Sequence, residues 1–457
     1  MAKKQTAESL QDKVRGLYDA LRTDFYLCRD DFDVGGERFN SALLFGALTE
    51  LNRGNQLLFG EYGGGKTTSA EYLNAAFNGL PLDLVKRVAL RGNPQLTEEK
   101  MVGRPHYGRM HQGAEDVVWQ HFVSVGPKIF DEFNRVPESN QAVVLNGVDR
   151  GEWNYLNDFI STGPQPFFAT CNYADRGNNA LIPPILDRFD VAVESKFPGV
   201  ANAVHIADDY NNDKDKKLSN KDLTRQALEV LNSGRSYEEI QKELELIVQQ
   251  QHIQFRDHGL PVWTAQDREK AEAEIRRVSL DRDAAQYFAF LVAEMNVSSK
   301  HGQKRSIDPP STDQGLYLQA AFAGSGSRRE EKSIVRYAKS LAWLQGQEQA
   351  NLEHVVQVAP YVLWHRIKWV PDVESKFRDN DRSDPLDLYI AKTLLSDGTD
   401  EMPGVKKRFG ESRENYQRVV DLAGHGNVKQ ARREAEEFYE DGKGHPIFLD
   451  TMKDLEE

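Results

Sequence analysis

Cysteine is almost missing from this chain: Cys28 and Cys171 are the only two in 457 residues. That excludes a disulfide scaffold and a cysteine-based zinc site, and it fits a reducing cytoplasm. Long apolar runs are missing too. None approaches the ~20 residues a bilayer-spanning helix needs, so no membrane span is expected. The opening "MAKKQTAESLQDKVRGLYDAL" has basic residues but no apolar segment behind them, so no secretory signal is expected either. Positive charge is in short supply, with 58 Lys and Arg against 71 Asp and Glu and a formal net charge of -13. Duplex binding usually shows as a basic surplus or a basic face, so nucleic acid is an unfavoured partner. No fixed-period repeat or low-complexity tract is visible.

What remains is a globular composition, 39% hydrophobic and 28% charged, in a chain long enough for two or three domains. One stretch carries chemistry at once. "GEYGGGKTT" runs through Gly60, Glu61, Tyr62, Gly63, Gly64, Gly65, Lys66, Thr67 and Thr68, and its first eight residues match G-x-x-x-x-G-K-[ST]. Glycines let the backbone curl around phosphate oxygens with its N–H groups inward, and a following helix adds the positive end of its dipole. The context agrees: Gln56–Phe59 reads as a short buried strand, and Ala70, Leu73 and Phe77 repeat at helical spacing. Lys66 is then expected to reach the β- and γ-phosphates and Thr67 to hold magnesium.

Downstream, "KIFDEFNR" ends a short apolar strand at Asp131 and Glu132. A carboxylate at such a strand end completes a magnesium shell, and its neighbour polarises the attacking water. The competing reading is a solvated acidic pair at a helix start. A strand is expected around Val85 to Leu90. Another, Phe167 to Cys171, leads into Asn172, whose amide could orient the lytic water. Arg188 precedes a further apolar run, Val191 to Val193.

In this order the pieces resemble AAA+ ATPases, and within them the MoxR group. "IFDEFNRVPESNQAVVLNGVDRGEW" resembles that group's second strand motif, and "DEFNR" is also similar to dynein motor rings. "FFATCNYADRG" and "IPPILDRFD" resemble the sensor-1 strand and the arginine-finger helix. The stretches 263–295 and 324–355 resemble the lid and its sensor-2 helix. The resemblance implies an α/β three-layer P-loop domain with a parallel sheet, an α-helical lid and additional helices. It assigns 1–205 to the ATPase domain, 206–262 to a helical insertion, 263–370 to the lid and 371–457 to a C-terminal helical extension. By position Asp131 binds magnesium, Glu132 activates water, Asn172 is sensor 1 and Arg188 the finger for a neighbour's nucleotide. Arg329 aligns as sensor 2, with Arg328 adjacent and still open; surface ion pairs are the alternative for these arginines.

The resemblance also implies Mg2+ and ATP, a homo-hexameric ring or spiral, and a protein client such as a von Willebrand factor A domain protein. A nucleic-acid motor and a nucleotide-gated scaffold with little turnover are the alternatives. Three features depart from the pattern. Glu61-Tyr62 replaces the usual prolines of the loop, and Glu61 is expected to point away. The stretch 208–259 lacks a counterpart, with a polar linker, "NNDKDKKLSNKD", before a helix with Ile240, Leu244 and Val248 on one face. The tail from about Asp372 is expected to be helical at Leu386–Leu395 and across 416–439. His106, His111 and His121 fit no ligand spacing. Tyr107 and Met110 fall where this branch carries a pore-facing insert. Trp153, Tyr155 and Phe159 alternate as in a hairpin. Leu10, Val14, Leu17 and Leu21 form an amphipathic stripe packed on the body.

Overall fold

The computed structural model describes residues 8–106, 108, 116–173, 181–208, 214–298, 302–305, 307–308, 317–440 and 444–455. They fall into two compact units, Met1–Arg277 with Trp343–Gly346, and Val278–Ala342 with Gln347–Glu457. Tyr107, Met110 and His111 lie outside the described residues. Among the described residues no helix is long and apolar enough to cross a membrane.

The first unit is built on five short strands, β1 (Asn55–Gly60), β2 (Leu90–Arg91), β3 (Lys128–Asp131), β4 (Phe167–Asn172) and β5 (Val191–Glu194). They pair in parallel in the order β5-β1-β4-β3-β2. Parallel strands are covered on both faces, so their sequences run apolar without alternation. Leu57, Leu58, Phe167, Phe168 and Ala169 are accordingly buried. The register sets Asn172 beside Gly60 and Arg91 beside Asp131, which gathers the polar strand ends at one edge. That carboxyl edge is where open α/β sheets bind ligands.

Helices α1 (Leu10–Ala20), α2 (Ser41–Asn52), α3 (Lys66–Asn78), α4 (Leu82–Val88) and α5 (Glu138–Arg150) belong to this unit. Ser9 caps α1 with Asp12 in a reciprocal box, and Val14, Leu17 and Tyr18 are buried. The strand expected at Val85 to Leu90 is mostly helix instead. Leu82, Val85 and Val88 recur every third residue and are buried in α4, Asp83 lies in its first turn and Lys86 and Arg87 in its last. Only Leu90 and Arg91 remain extended. Glu152–Tyr155 and Asp158–Ser161 form an antiparallel hairpin in which Trp153 is buried while Leu156 and Phe159 are exposed.

The stretch 214–262 lies within the same unit. Its opening is stitched down rather than loose. Asp215 accepts from Tyr72 Oη and Lys86 Nζ, both at 2.8 Å, and Leu218 is buried. Helices α6 (Lys221–Leu231) and α7 (Tyr237–Asp257) pack on each other, with Ile240, Leu244 and Ile247 buried in α7 and Val248 only half-buried. α8 (Ala265–Arg277) follows, and its Arg268 donates to buried Glu50 at 3.3 Å and to Asn78 Oδ1 at 2.9 Å.

The second unit is helical: α9 (Arg282–Asn296), α10 (Arg328–Leu344, up to Ala342 in this unit), α11 (Leu352–Leu363), α12 (Leu386–Leu395), α13 (Val405–Gly424), α14 (Val428–Tyr439) and α15 (Pro446–Asp454). The single helical stretch read across 416–439 is two helices, broken at His425–Asn427. α9 packs against α11, α13 and α15, so residues beyond 371 share one core with the lid segment. At its centre Glu294 is fully buried. Its carboxylate accepts from Arg408 Nε at 2.7 Å, from Arg408 Nη2, and from the Leu318 N–H at 2.9 Å. His445 Nδ1 accepts the Ile447 N–H, so Nε2 carries the proton and donates to Glu294 at 3.0 Å. Burial alone would push the Glu294 pKa up, but Arg408 and His445 hold it at about 2.

Removing one partner of a buried pair leaves an uncompensated charge, so Arg408→Met should destabilise the chain by about 3–5 kcal/mol at pH 7. The depressed Glu294 pKa contributes stability above its unfolded value of 4.5 that is lost as pH falls toward about 2. The gap between wild type and Arg408→Met should therefore narrow below pH 4.5 in urea unfolding, and a gap constant with pH would overturn the assignment.

Candidate active site

The loop Gly60–Gly65 leaves β1 and enters α3 without a residue of slack. Gly65, the N-cap of α3, sits at φ 77°, and a Cβ there would meet the Tyr26 ring at 2.8 Å. Lys66 opens the helix buried, and its Nζ donates to the carbonyls of Gly60 at 2.9 Å and Glu61 at 2.8 Å. Burial lowers the Lys66 pKa, and the nearby Asp131 carboxylate works against that. The side chains of Glu61 and Tyr62 are exposed, as is Gly63; Gly64 is half-buried. Thr67 lies in the first turn of α3 and Thr68 beside it, both half-buried.

The two carboxylates meet the loop from β3. Thr67 Oγ1 donates to Asp131 Oδ1 at 2.6 Å, and Thr170 Oγ1 donates to the same oxygen at 2.7 Å. Thr170 also accepts the Glu132 N–H at 2.9 Å, and Asn172 Nδ2 reaches Glu132 Oε1 at 3.4 Å. Glu132 holds a left-handed backbone, φ 53° and ψ 44°, a costly conformation for a side chain other than glycine. Arg135 lies 3.3 Å from its carboxylate. Loop, Lys66, Thr67, Asp131, Glu132 and Asn172 thus converge on one edge of the sheet. A hydroxyl and a carboxylate 2.6 Å apart form an oxygen donor set of the kind a hard divalent cation takes, so the residues present fit magnesium.

Two predicted residues lie elsewhere. Arg188 follows the short helix Pro183–Leu186, its carbonyl accepts from Asn55 Nδ2 at 2.8 Å, and its guanidinium donates to Asn146 Oδ1 at 2.5 Å. Asn55 is the first residue of β1 and Gly60 the last, so about 16 Å of strand separates Arg188's backbone from the loop. Arg329 lies in the first turn of α10 in the second unit, where its neighbour Arg328 pairs with Glu331 at 2.7 Å.

A family model described as an AAA domain of the dynein-related subfamily matches residues 55–189, and an AAA lid domain model matches 319–386. The chain carries an AAA-type ATPase domain of the dynein-related subfamily and an AAA lid domain. It is an ATP-hydrolysing enzyme, and its α/β domain followed by a lid is the expected architecture. No curated protein matches it. Among solved structures, a candidate ATPase from Cytophaga hutchinsonii superposes with a TM-score of 0.55 at 17% identity. The match covers 80% of this chain and 90% of that one, and at this identity it speaks for the fold alone.

Sequence reasoning missed one support of this ATPase site. Thr170 sits two residues before Asn172 on the same strand face, which is the signal that could have found it. Lys128, which opens β3, is fully buried. Its Nζ donates to Val123 O at 3.0 Å and to Val125 O, and burial pushes its pKa down to about 7. Thr170→Val should lower turnover about tenfold with nucleotide affinity kept, because the buried Glu132 N–H loses its acceptor and Asp131 a donor. Thr170→Ser should restore turnover; wild-type rates in the valine variant would show that the hydroxyl has no positioning role.

Proposed function

We propose that this AAA+ protein hydrolyses ATP with magnesium in an oligomer of its own copies and drives the remodelling of a protein client.

 The assembly proposed is a homo-hexameric ring or spiral, and the first client to seek is a von Willebrand factor A domain protein, on family resemblance. The observation that carries the oligomer is the distance of Arg188 from its own loop: about 16 Å of β1 lies between them, more than an arginine side chain spans. A cation that is to meet the γ-phosphate from that end of the sheet must meet it in another copy.

Within one site the roles divide by chemistry. The N–H groups of Gly63, Gly64 and Gly65 and the Lys66 amine would bind the phosphates, the backbone supplying shape and the amine charge. Thr67 and Asp131 would hold magnesium, which when bound neutralises charge on the phosphate oxygens. Glu132 is the general base: its carboxylate takes the proton of the attacking water while Asn172 and Arg135 fix its orientation. Arg188 would stabilise charge developing in the neighbour's site, and Arg329, or Arg328 beside it, is the sensor-2 residue by family resemblance.

Lys66→Ala should abolish ATP binding in calorimetry, and unchanged affinity would refute the loop's role. Glu132→Gln should keep ATP bound while turnover falls at least ~100-fold. Arg188→Ala should bind ATP normally and hydrolyse it poorly, since an arginine finger contributes ~10³-fold or more. Mixed with Lys66→Ala subunits, it should regain activity, because one interface then joins an intact pocket to an intact finger. Co-assembly without recovered activity would rule out action in trans.

A further inference from the structure

One serine that no motif singles out touches the phosphate loop from outside. Ser195 directly follows β5, and its N–H donates to Phe59 O at 2.8 Å, which sets it beside the residue where β1 turns into the loop. Its carbonyl lies against Gly60 and Gly64, where added Cβ atoms would come within 2.7 and 3.3 Å of it. Its hydroxyl donates to the Gly64 carbonyl. That carbonyl can only accept, so the single serine proton is committed to it. The Tyr26 hydroxyl, 2.5 Å from Ser195 Oγ, must then be the donor in that second bond. Burial pushes the Tyr26 pKa above the usual tyrosine range, so the phenol keeps its proton.

The geometry has a consequence for the loop. In a trans peptide the C=O and the following N–H point to opposite sides. Holding the Gly64 carbonyl toward Ser195 turns the Gly65 N–H away from it. Gly65 is the N-cap of α3, where an inward N–H meets a bound anion. The Tyr26 ring meanwhile closes over Gly65. A second tie fixes the same two segments to each other: Lys196 Nζ pairs with Asp31 at 3.0 Å, and Asp31 accepts from the Ser41 N–H at 2.7 Å and from Ser41 Oγ at 2.9 Å where α2 begins.

We propose that Tyr26 and Ser195 form a positioning relay that holds the phosphate loop in its nucleotide-binding shape, making nucleotide affinity depend on the segment between α1 and α2. This rests on the loop being the nucleotide site. The relay touches neither Asp131 nor Glu132, so its loss shows in binding and in KM, with kcat kept.

Full-length variants titrated with magnesium-ADP by calorimetry test it. Ser195→Ala should weaken binding about tenfold and Tyr26→Phe about threefold, the size expected for a lost buried hydrogen bond. The double variant should bind no more weakly than Ser195→Ala alone, because the tyrosine acts through the serine. At saturating ATP the turnover of all three should match wild type. Additive losses, or affinity in Ser195→Ala equal to wild type while Lys66→Ala has lost binding, would overturn the relay. Normal binding by Lys66→Ala would instead remove the loop reading beneath it. If Ser195→Ala lowers the melting temperature without nucleotide, Tyr26→Phe decides: it keeps the ring on Gly65 and removes only the hydroxyl, and unchanged affinity there overturns the proposal.

Discussion

Asp131 Oδ1 accepts two hydroxyls, Thr67 from the first turn of α3 and Thr170 from β4, and through them one carboxylate oxygen ties three elements together. If β3 slipped by one residue against β4, Asp131 would face the opposite side of the sheet and both bonds would be lost. The parallel register that prevents this is set by buried apolar residues, Phe168 and Ala169 opposite Ile129 and Phe130. Binding geometry at the polar edge therefore depends on packing in the apolar middle.

Burial of charge is the second theme. Lys128, Glu50 and Glu294 are each nearly or fully buried, and each is answered differently. Lys128 meets two carbonyls and, at 5.6 Å, the Phe122 ring, and its pKa falls. Glu50, opposite Arg268 and Asn78, is still pushed up to about 7 by burial. Glu294, with Arg408 in two bonds, is held at about 2. The difference follows the number and charge of donors, since desolvation penalises all three. Such groups specify an arrangement more than they stabilise it, because a charge moved from its partner is left in a medium that cannot solvate it.

The insertion shows how far composition can mislead. "NNDKDKKLSNKD" is polar enough to read as a linker, yet Asp215 and Leu218 within it are held by Tyr72, Lys86 and the α4 backbone. Polarity reports what a segment could leave in water; it carries no information about partners more than a hundred residues away.

What was legible in the sequence was local. The spacing of Gly60, Gly65, Lys66 and Thr67, and the apolar run ending at Asp131-Glu132, identify phosphate chemistry because glycine, lysine and paired carboxylates have few other reasons to stand in that order. Buried strands and apolar helix faces were legible for the same reason, since periodicity acts over a few residues. The α4 misreading came from that short range as well, where a short stretch with scattered apolar residues fits a strand or a helix until its neighbours are known. Only the tertiary structure decided that Thr170 and Ser195 belong to the site, that Lys128 stays in its strand, and that Arg188 sits at the far end of β1. Each of these depends on a contact across the sheet or between chain-distant segments, and such contacts arise from the register of packed strands, which no short stretch of sequence contains.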